Sequence, residues 1–455
     1  MNITFVLPCV GKRDGRGYPR SWLMEPLGIG RLSAMTPANW TKKFYDDRLE
    51  SIPYDTPTDL VAINVETYTA RRAYQIAREY RTRGVTVVMG GFHATLMPEE
   101  VQGHADSVVI GEAESVWPVL LTDFANGRLQ RSYRATERPS LSGLRPDRSI
   151  YAGRPYLGLA LVETARGCQF GCEFCSIAGF YKSTYVARPV AEVVEEIQAT
   201  GARNVFFVDD NLGVNRERTR QLLEALIPLR IRWMCQVSIS VAHDESLLAL
   251  MRRSGCVGVL IGFESLDAAP LAAMGKTMNP VTEAEAEKAV RRFYRHGIAI
   301  FATFVFGYDT DTDASFKRTL NFAIRQGFFF AAFNHIVPFP GTPLYDRLKR
   351  EGRLLHDPWW LDDSYRFGDV AFQPAGMLAN ELRDRCLEYR LRFYSLSSIA
   401  RRYINSAANR RSPFLASLFW MQNLGGRRET LGRFGLPLGF PEVAGHPEAE
   451  GGRVP

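Results

Sequence analysis

No apolar run in this chain reaches the roughly 18 residues needed to cross a bilayer, so no membrane partner is expected. Cysteine is scarce: there are seven in 455 residues, an odd number with three crowded into one loop. That excludes a disulfide scaffold and fits a reducing compartment. The opening MNITFVLPCVGKRDGRG meets charge after a very short apolar run, so it reads as a first strand and loop rather than a secretory leader, and the expected location is cytoplasmic. Net charge is only +7, and much of the excess lies in Arg401, Arg402, Arg410, Arg411, Arg427 and Arg428. The aromatic interleaving of single-strand binders is poor there, so these arginines read as a solvated helix face and no nucleic-acid partner is expected. With 46% apolar and 23% charged residues, the composition is that of a globular protein long enough for two or three domains.

Against this background the stretch ETARGCQFGCEFCSIAGFY stands out. A structural zinc site closes its tetrahedron with four protein ligands. Cys168, Cys172 and Cys175 have no fourth Cys or His beside them, since Gln169, Phe170, Glu173 and Phe174 fill the gaps and the next cysteine is Cys235. Three thiolates at this spacing can hold three corners of an iron-sulfur cube and leave one iron open. Gly167 and Gly171 let the backbone wrap closely round such a group, and Phe174 can shield it. The other four cysteines, Cys9, Cys235, Cys256 and Cys386, read as buried small hydrophobes.

Along residues 1–145, strand-like NITFVLP, LVAINVE, VTVVMGG and DSVVIG alternate with amphipathic stretches, the pattern of a doubly wound, Rossmann-like parallel sheet. Residues 128–155 read as a linker. From Leu157 the alternation resumes through LGLALVET, NVFFVDD, RWMCQVSIS, VGVLIGFES, IAIFATFVFGY and FNHIVPFP, predicting a partial (β/α)6 barrel over 156–370 with its chemistry at the strand C-termini. Residues 371–425 read as helical and 426–455 as a disordered tail. The fold class is therefore α/β with a helical C-terminal region.

The cysteine spacing, with an aromatic before the third Cys, resembles the radical S-adenosylmethionine (SAM) superfamily. Over roughly residues 157–350 each further motif falls at a strand end. The resemblance implies one 4Fe-4S cluster on Cys168, Cys172 and Cys175, with SAM as cofactor. It places Phe174, Asp209, Asp210, Asn211, Gln236, Ser238, Glu264 and Gly307 around the cluster and SAM. For Asn211 a helix cap is an equally good reading, and for Glu264 a structural ion pair stays open. Glu163, Tyr308, Asp309 and His335 are candidates for proton transfer, and His93 and Asn334 for substrate contact. The first domain resembles the cobalamin-binding domain that precedes the barrel in one large radical SAM class, through PLGIG, GGFHATLMPEE and VVIGEAE. The DxHxxG loop that supplies a cobalt-ligating His is missing, which counts against cobalamin. The expectation is a domain that binds none and walls the substrate pocket.

The resemblance implies reductive cleavage of SAM to a 5′-deoxyadenosyl radical that takes hydrogen from a small polar substrate. The required electron comes from a flavodoxin or ferredoxin. Within the superfamily the combination is similar to the radical SAM 1,2-diol dehydratases acting on aminoglycoside pseudodisaccharides in antibiotic biosynthesis, whose product a separate NADPH-dependent reductase would take up. The alternative is a cobalamin-dependent radical SAM methyltransferase. A cluster-bearing redox sensor leaves the strand-end motifs unexplained.

Overall fold

The computed structural model describes residues 1–12, 18–276, 278–279 and 282–440. Its first sheet joins β1 (Asn2–Leu7), β2 (Thr41–Asp46), β3 (Leu60–Asn64), β4 (Thr86–Gly90), β5 (Ser107–Ile110) and β6 (Ser132–Arg134) in the order β2-β1-β3-β4-β5-β6, all parallel. Parallel strands need crossovers that cover both faces. Accordingly β5 is buried along its whole length, and one core lies on each side of the sheet, around Val61, Ile76 and Met89 and around Phe5, Val88 and Trp117. The order turns back at β1, which has β2 on one side and β3 on the other. That geometry opens a crevice at the C-terminal ends of β1 and β3.

The chain then forms β7 (Ala160–Val162) and a short antiparallel ribbon, β8 (Ala165–Arg166) with β9 (Val186–Ala187), that brackets the cysteine loop. There follow β10 (Asn204–Phe207), β11 (Arg232–Gln236), β12 (Cys256–Glu264), β13 (Ala299–Phe306) and β14 (Phe330–His335). With β7 they make the second parallel sheet, ordered β14-β13-β12-β11-β10-β7, the expected partial barrel with free edges at β7 and β14. Strand alternation separates its two faces. Trp233 and Cys235 are 0% exposed under the outer helices, whereas Met234 between them keeps 38%, so the opposite face borders an accessible lumen. Helices Ala379–Phe393, Leu396–Asn405 and Pro413–Arg433 follow, and none of the described helices is long and apolar enough to cross a membrane.

Three expectations change. The stretch 128–155 is no free linker: β6 extends the first sheet, and Tyr151 is buried against Phe44 with its hydroxyl on the Pro26 carbonyl. The tail expected from 426 is ordered further on. Residues 426–433 complete the last helix and Leu436 and Leu438 are buried, apolar anchors that outweigh the Gly-rich composition around them; 441–455 lie outside the described residues. Arg402 is not solvated but fully buried, donating to the carbonyls of Phe328, Phe329 and Phe393 and stacked over Phe393. The four scattered cysteines are buried, as expected.

Candidate active site

The cysteine loop leaves the C-terminal end of β7 and is held from the next strand. Thr164 donates its N–H and its hydroxyl to the Asp209 carboxylate at 2.7 and 2.5 Å, and Gly167 N–H donates to Asp210 at 2.7 Å. Gly167 sits at φ +90°, and a Cβ there would lie 2.0 Å from the Thr184 carbonyl, so only glycine fits. Both aspartates are thus occupied in shaping the loop. Burial raises each, Asp209 up to about 7 against the hydrogen bonds from Thr164 that favour its charged form.

All three loop cysteines are free thiols, Cys172 buried and the others partly so. Burial above all, then the neighbouring thiols, pushes Cys172 up to about 11, while Lys276 opposes the shift. Burial raises Cys175 as well, and thiols held up in this way suit a cationic cluster that supplies the missing charge. Among the described residues no three His, Cys, Asp or Glu side chains are grouped to hold a single metal ion. A cube needs only one thiolate per iron, so the donor set fits a cluster. Phe174 packs on the barrel core, and Glu173 accepts from Arg347 at 2.9 Å, tying the loop to the helix after β14.

Around this loop Asn211 places its amide nitrogen 4.0 Å from the Cys168 sulfur and accepts the Ser238 N–H at 3.2 Å. Its place beside the cysteines, rather than at the start of a helix, is what the structure shows. Gln236 is exposed on the lumen side of β11, and the Ser238 hydroxyl is shared with Ser240 at 2.9 Å. Glu264, at φ +60° and nearly buried, forms an ion pair with Lys276. The left-handed backbone of this non-glycine residue is held at the strand end by that pairing. Gly307, at φ +114°, is braced by Asp311, which accepts its N–H and that of Tyr308.

Other expected residues stand elsewhere. His93 is 0% exposed, and its ring nitrogens face the Thr67 hydroxyl at 3.2 Å and Glu100 at 3.1 Å. Since Glu100 also accepts from Trp360 at 3.0 Å, His93 helps pin the segment after the barrel to the first domain and lines no pocket. Asp309 is 54% exposed and pairs with Arg353, a solvent contact rather than a proton-transfer group. The Tyr308 hydroxyl is buried beside Glu173; burial above all, then the Glu173 carboxylate, hold its pKa well above the phenol range. His335 has backbone carbonyls on both ring nitrogens, Ile336 at 2.9 Å and Gly368 at 3.2 Å. Asn334 accepts a hydrogen bond from Arg390.

Glu163 leads to what the sequence concealed. It pairs with Arg31 of the first domain at 2.7 Å and with Arg166 at 2.9 Å. Arg166 in turn holds Glu112 at 2.9 Å and Glu114 at 2.5 Å, at the end of β5. Phe92, after β4, stacks on Phe180 of the helix following the cysteines, with centroids 4.3 Å apart. The strand-end loops of the two sheets therefore face each other across the cysteine loop. Arg31, Lys276, Arg166 and the Glu112–Glu114 pair carry no local spacing signal, and only the fold brings them in.

Residues 162–323 match the radical SAM superfamily, and residues 33–121 match the B12 binding domain. The chain is 31% identical over 390 residues to the bacteriochlorophyllide d C-12(1)-methyltransferase of Chlorobaculum tepidum, covering 83% of this chain and 84% of that protein. This chain belongs to the radical SAM superfamily. The bacteriochlorophyllide d C-8(2)-methyltransferase of the same organism is 30% identical over 358 residues, covering 73% and 78% of the two chains. Among solved structures, the radical SAM methyltransferase TsrM of Kitasatospora setae, seen with cobalamin and a 4Fe-4S cluster, shares the fold with a TM-score of 0.63 at 17% identity, over 94% of this chain and 98% of that one. As a radical SAM enzyme the chain uses one 4Fe-4S cluster and SAM, and its first domain is of the cobalamin-binding kind.

Proposed function

We propose that this radical SAM enzyme is a cobalamin-dependent methyltransferase that adds a methyl group to carbon of an organic substrate. One observation carries the reading: the cysteine loop is bolted to the strand-end loops of the B12-type domain through Arg166 with Glu112 and Glu114, and through Glu163 with Arg31. A domain kept only as a wall would not need its strand ends aimed at the cluster loop. The curated relatives named above support the same choice, since both are methyltransferases. They favour the alternative over diol dehydration, which none of the named relatives performs.

A corrin would be taken at the open strand ends of the first domain. Gly91, at φ +111°, has no room for a Cβ, which would meet the Asn64 side-chain oxygen at 2.6 Å and the Val65 carbonyl at 2.8 Å. Glu66, at the end of β3, is exposed at this strand end and accepts from Asn64 at 3.4 Å. His93, with both ring nitrogens engaged, offers no ligand to cobalt. Cobalamin would then sit among the loops after β1, β3 and β4 without a His from this domain.

When bound, the cluster supplies an electron for SAM cleavage and the corrin carries the methyl group. The chain's own residues do the positioning. Cys168, Cys172 and Cys175 would hold the cluster, with Asp209 and Asp210 fixing the backbone between them. Asn211, Ser238 and the Glu264–Lys276 pair offer polar groups to SAM beside that loop. Buried pairing of the two domains excludes water from the space where reactive species form. A flavodoxin- or ferredoxin-type donor would deliver the electron. The test is incubation of the anaerobically reconstituted enzyme with SAM deuterated in its methyl group, reductant and bacteriochlorophyllide d. A product heavier by one deuterated methyl supports the reading, and 5′-deoxyadenosine with a dehydrated product from a diol substrate contradicts it.

A further inference from the structure

Arg390, on the Ala379–Phe393 helix, carries a charge that no carboxylate among the described residues answers. Phe333 is buried and packs outward on Phe306 and Phe393, so by strand alternation Asn334 faces the lumen of the barrel. The Arg390 guanidinium reaches past the free edge of β14 to the Asn334 side-chain oxygen and lies 3.4 Å from the Phe333 carbonyl. No carboxylate among the described residues pairs with it, and burial holds its pKa below the usual guanidinium range. Its side chain keeps accessible surface beside the lumen-facing Asn334, so a ligand can reach it. Nearby, Arg433 stacks over Trp22 and shares the single Glu429 at 3.1 Å. Aromatic rings border this space, with Tyr18 against Trp22 at 5.8 Å and Trp22 against Phe367 at 4.9 Å.

A half-buried guanidinium that meets only neutral acceptors is under-compensated, and an incoming anionic ligand can supply the missing partner. We infer that Arg390 is the anchor for a carboxylate on a flat, largely apolar methyl acceptor, the guanidinium giving paired hydrogen bonds and the aromatic rings giving stacking. The inference rests on the methyltransferase reading for the word acceptor and not for the site itself. It also runs against a cationic aminosugar, which this wall would repel.

The test uses the full-length, cluster-loaded protein and two fluorescent probes, 1-pyrenebutyrate and its uncharged analogue 1-pyrenebutanol, titrated by anisotropy. The wild type is expected to bind the carboxylate about tenfold or more tighter than the alcohol, the scale of a charge-assisted hydrogen-bonded pair. Arg390→Gln is expected to erase that preference, Arg390→Lys to keep part of it, and Arg428→Gln, at an exposed arginine of the last helix, to leave it intact. Equal affinity of the wild type for both probes, no binding of pyrenebutyrate, or an undiminished preference in Arg390→Gln would each overturn the inference. Because neither probe accepts a methyl group and no corrin is present, failure of methyl transfer leaves this result standing, and the reverse holds too.

Discussion

Arg166, two residues before the first cluster cysteine, donates to Glu112 of the other domain at 2.9 Å, with the two side chains only 7% and 5% exposed. The barrel and the B12-type domain are therefore joined by a buried charge pair beside the cysteine loop. Removing one partner of such a pair strands the other in low dielectric. Arg166→Met is expected to cost about 3–5 kcal/mol in chemical denaturation, with part of the loss recovered when Glu112→Gln is added. No loss in the single variant would mean that the two domains are coupled elsewhere.

Asp209 makes a pH prediction. Its folded-state pKa is raised from 3.8 to about 7 by burial, so between those values the folded protein keeps a proton that the unfolded chain has lost. Stability contributed by this group then falls as pH rises from about 4 to about 7, at about 1.4 kcal/mol per unit of pKa difference. Asp209→Asn, which still accepts from the Thr164 N–H, should flatten that part of the stability profile. A profile identical to wild type would show that Asp209 is ionised when folded.

His93 separates architecture from substrate binding. Its ring lies between Thr67 and Glu100 in the interior of the first domain. His93→Ala leaves those buried polar groups short of a partner and is expected to lower stability by about 1–3 kcal/mol with the substrate KM unchanged. A large rise in KM at wild-type stability would return His93 to the substrate pocket.

Glu264 and Lys276 are expected to act together on SAM. Each alone, as Glu264→Gln or Lys276→Met, should weaken SAM binding measured by isothermal titration about tenfold or more, with effects well short of additive in the double variant because the two side chains form one ion pair. Additive losses would assign them separate contacts, and unchanged affinity would make the pair structural.

What the sequence disclosed and what it hid follow from the range of the interactions. The cysteine loop and the strand-end motifs were legible because their chemistry depends on spacing within a few residues, and parallel strands announce themselves by apolar runs. Asp209 and Asp210 also hold Thr164 and Gly167, partners that only the folded register brings within reach of them. Pairs such as Arg166 with Glu112, separated by 54 residues, leave no local pattern. Arg402 showed the same limit from the other side, its arginine-rich surroundings reading as surface while its carbonyl partners lay on distant segments. The DxHxxG loop is missing, and absence of one ligand motif does not decide whether a domain with intact strand ends keeps its cofactor.

The most direct test of the account is the metal content of the protein after anaerobic reconstitution with iron, sulfide and hydroxocobalamin, followed by desalting. Wild type is expected to retain about four irons and about one cobalt per chain. The variant with alanine at positions 168, 172 and 175 should lose the iron while staying folded. Four irons with no retained cobalt would contradict the methyltransferase reading and return the first domain to the role of a wall.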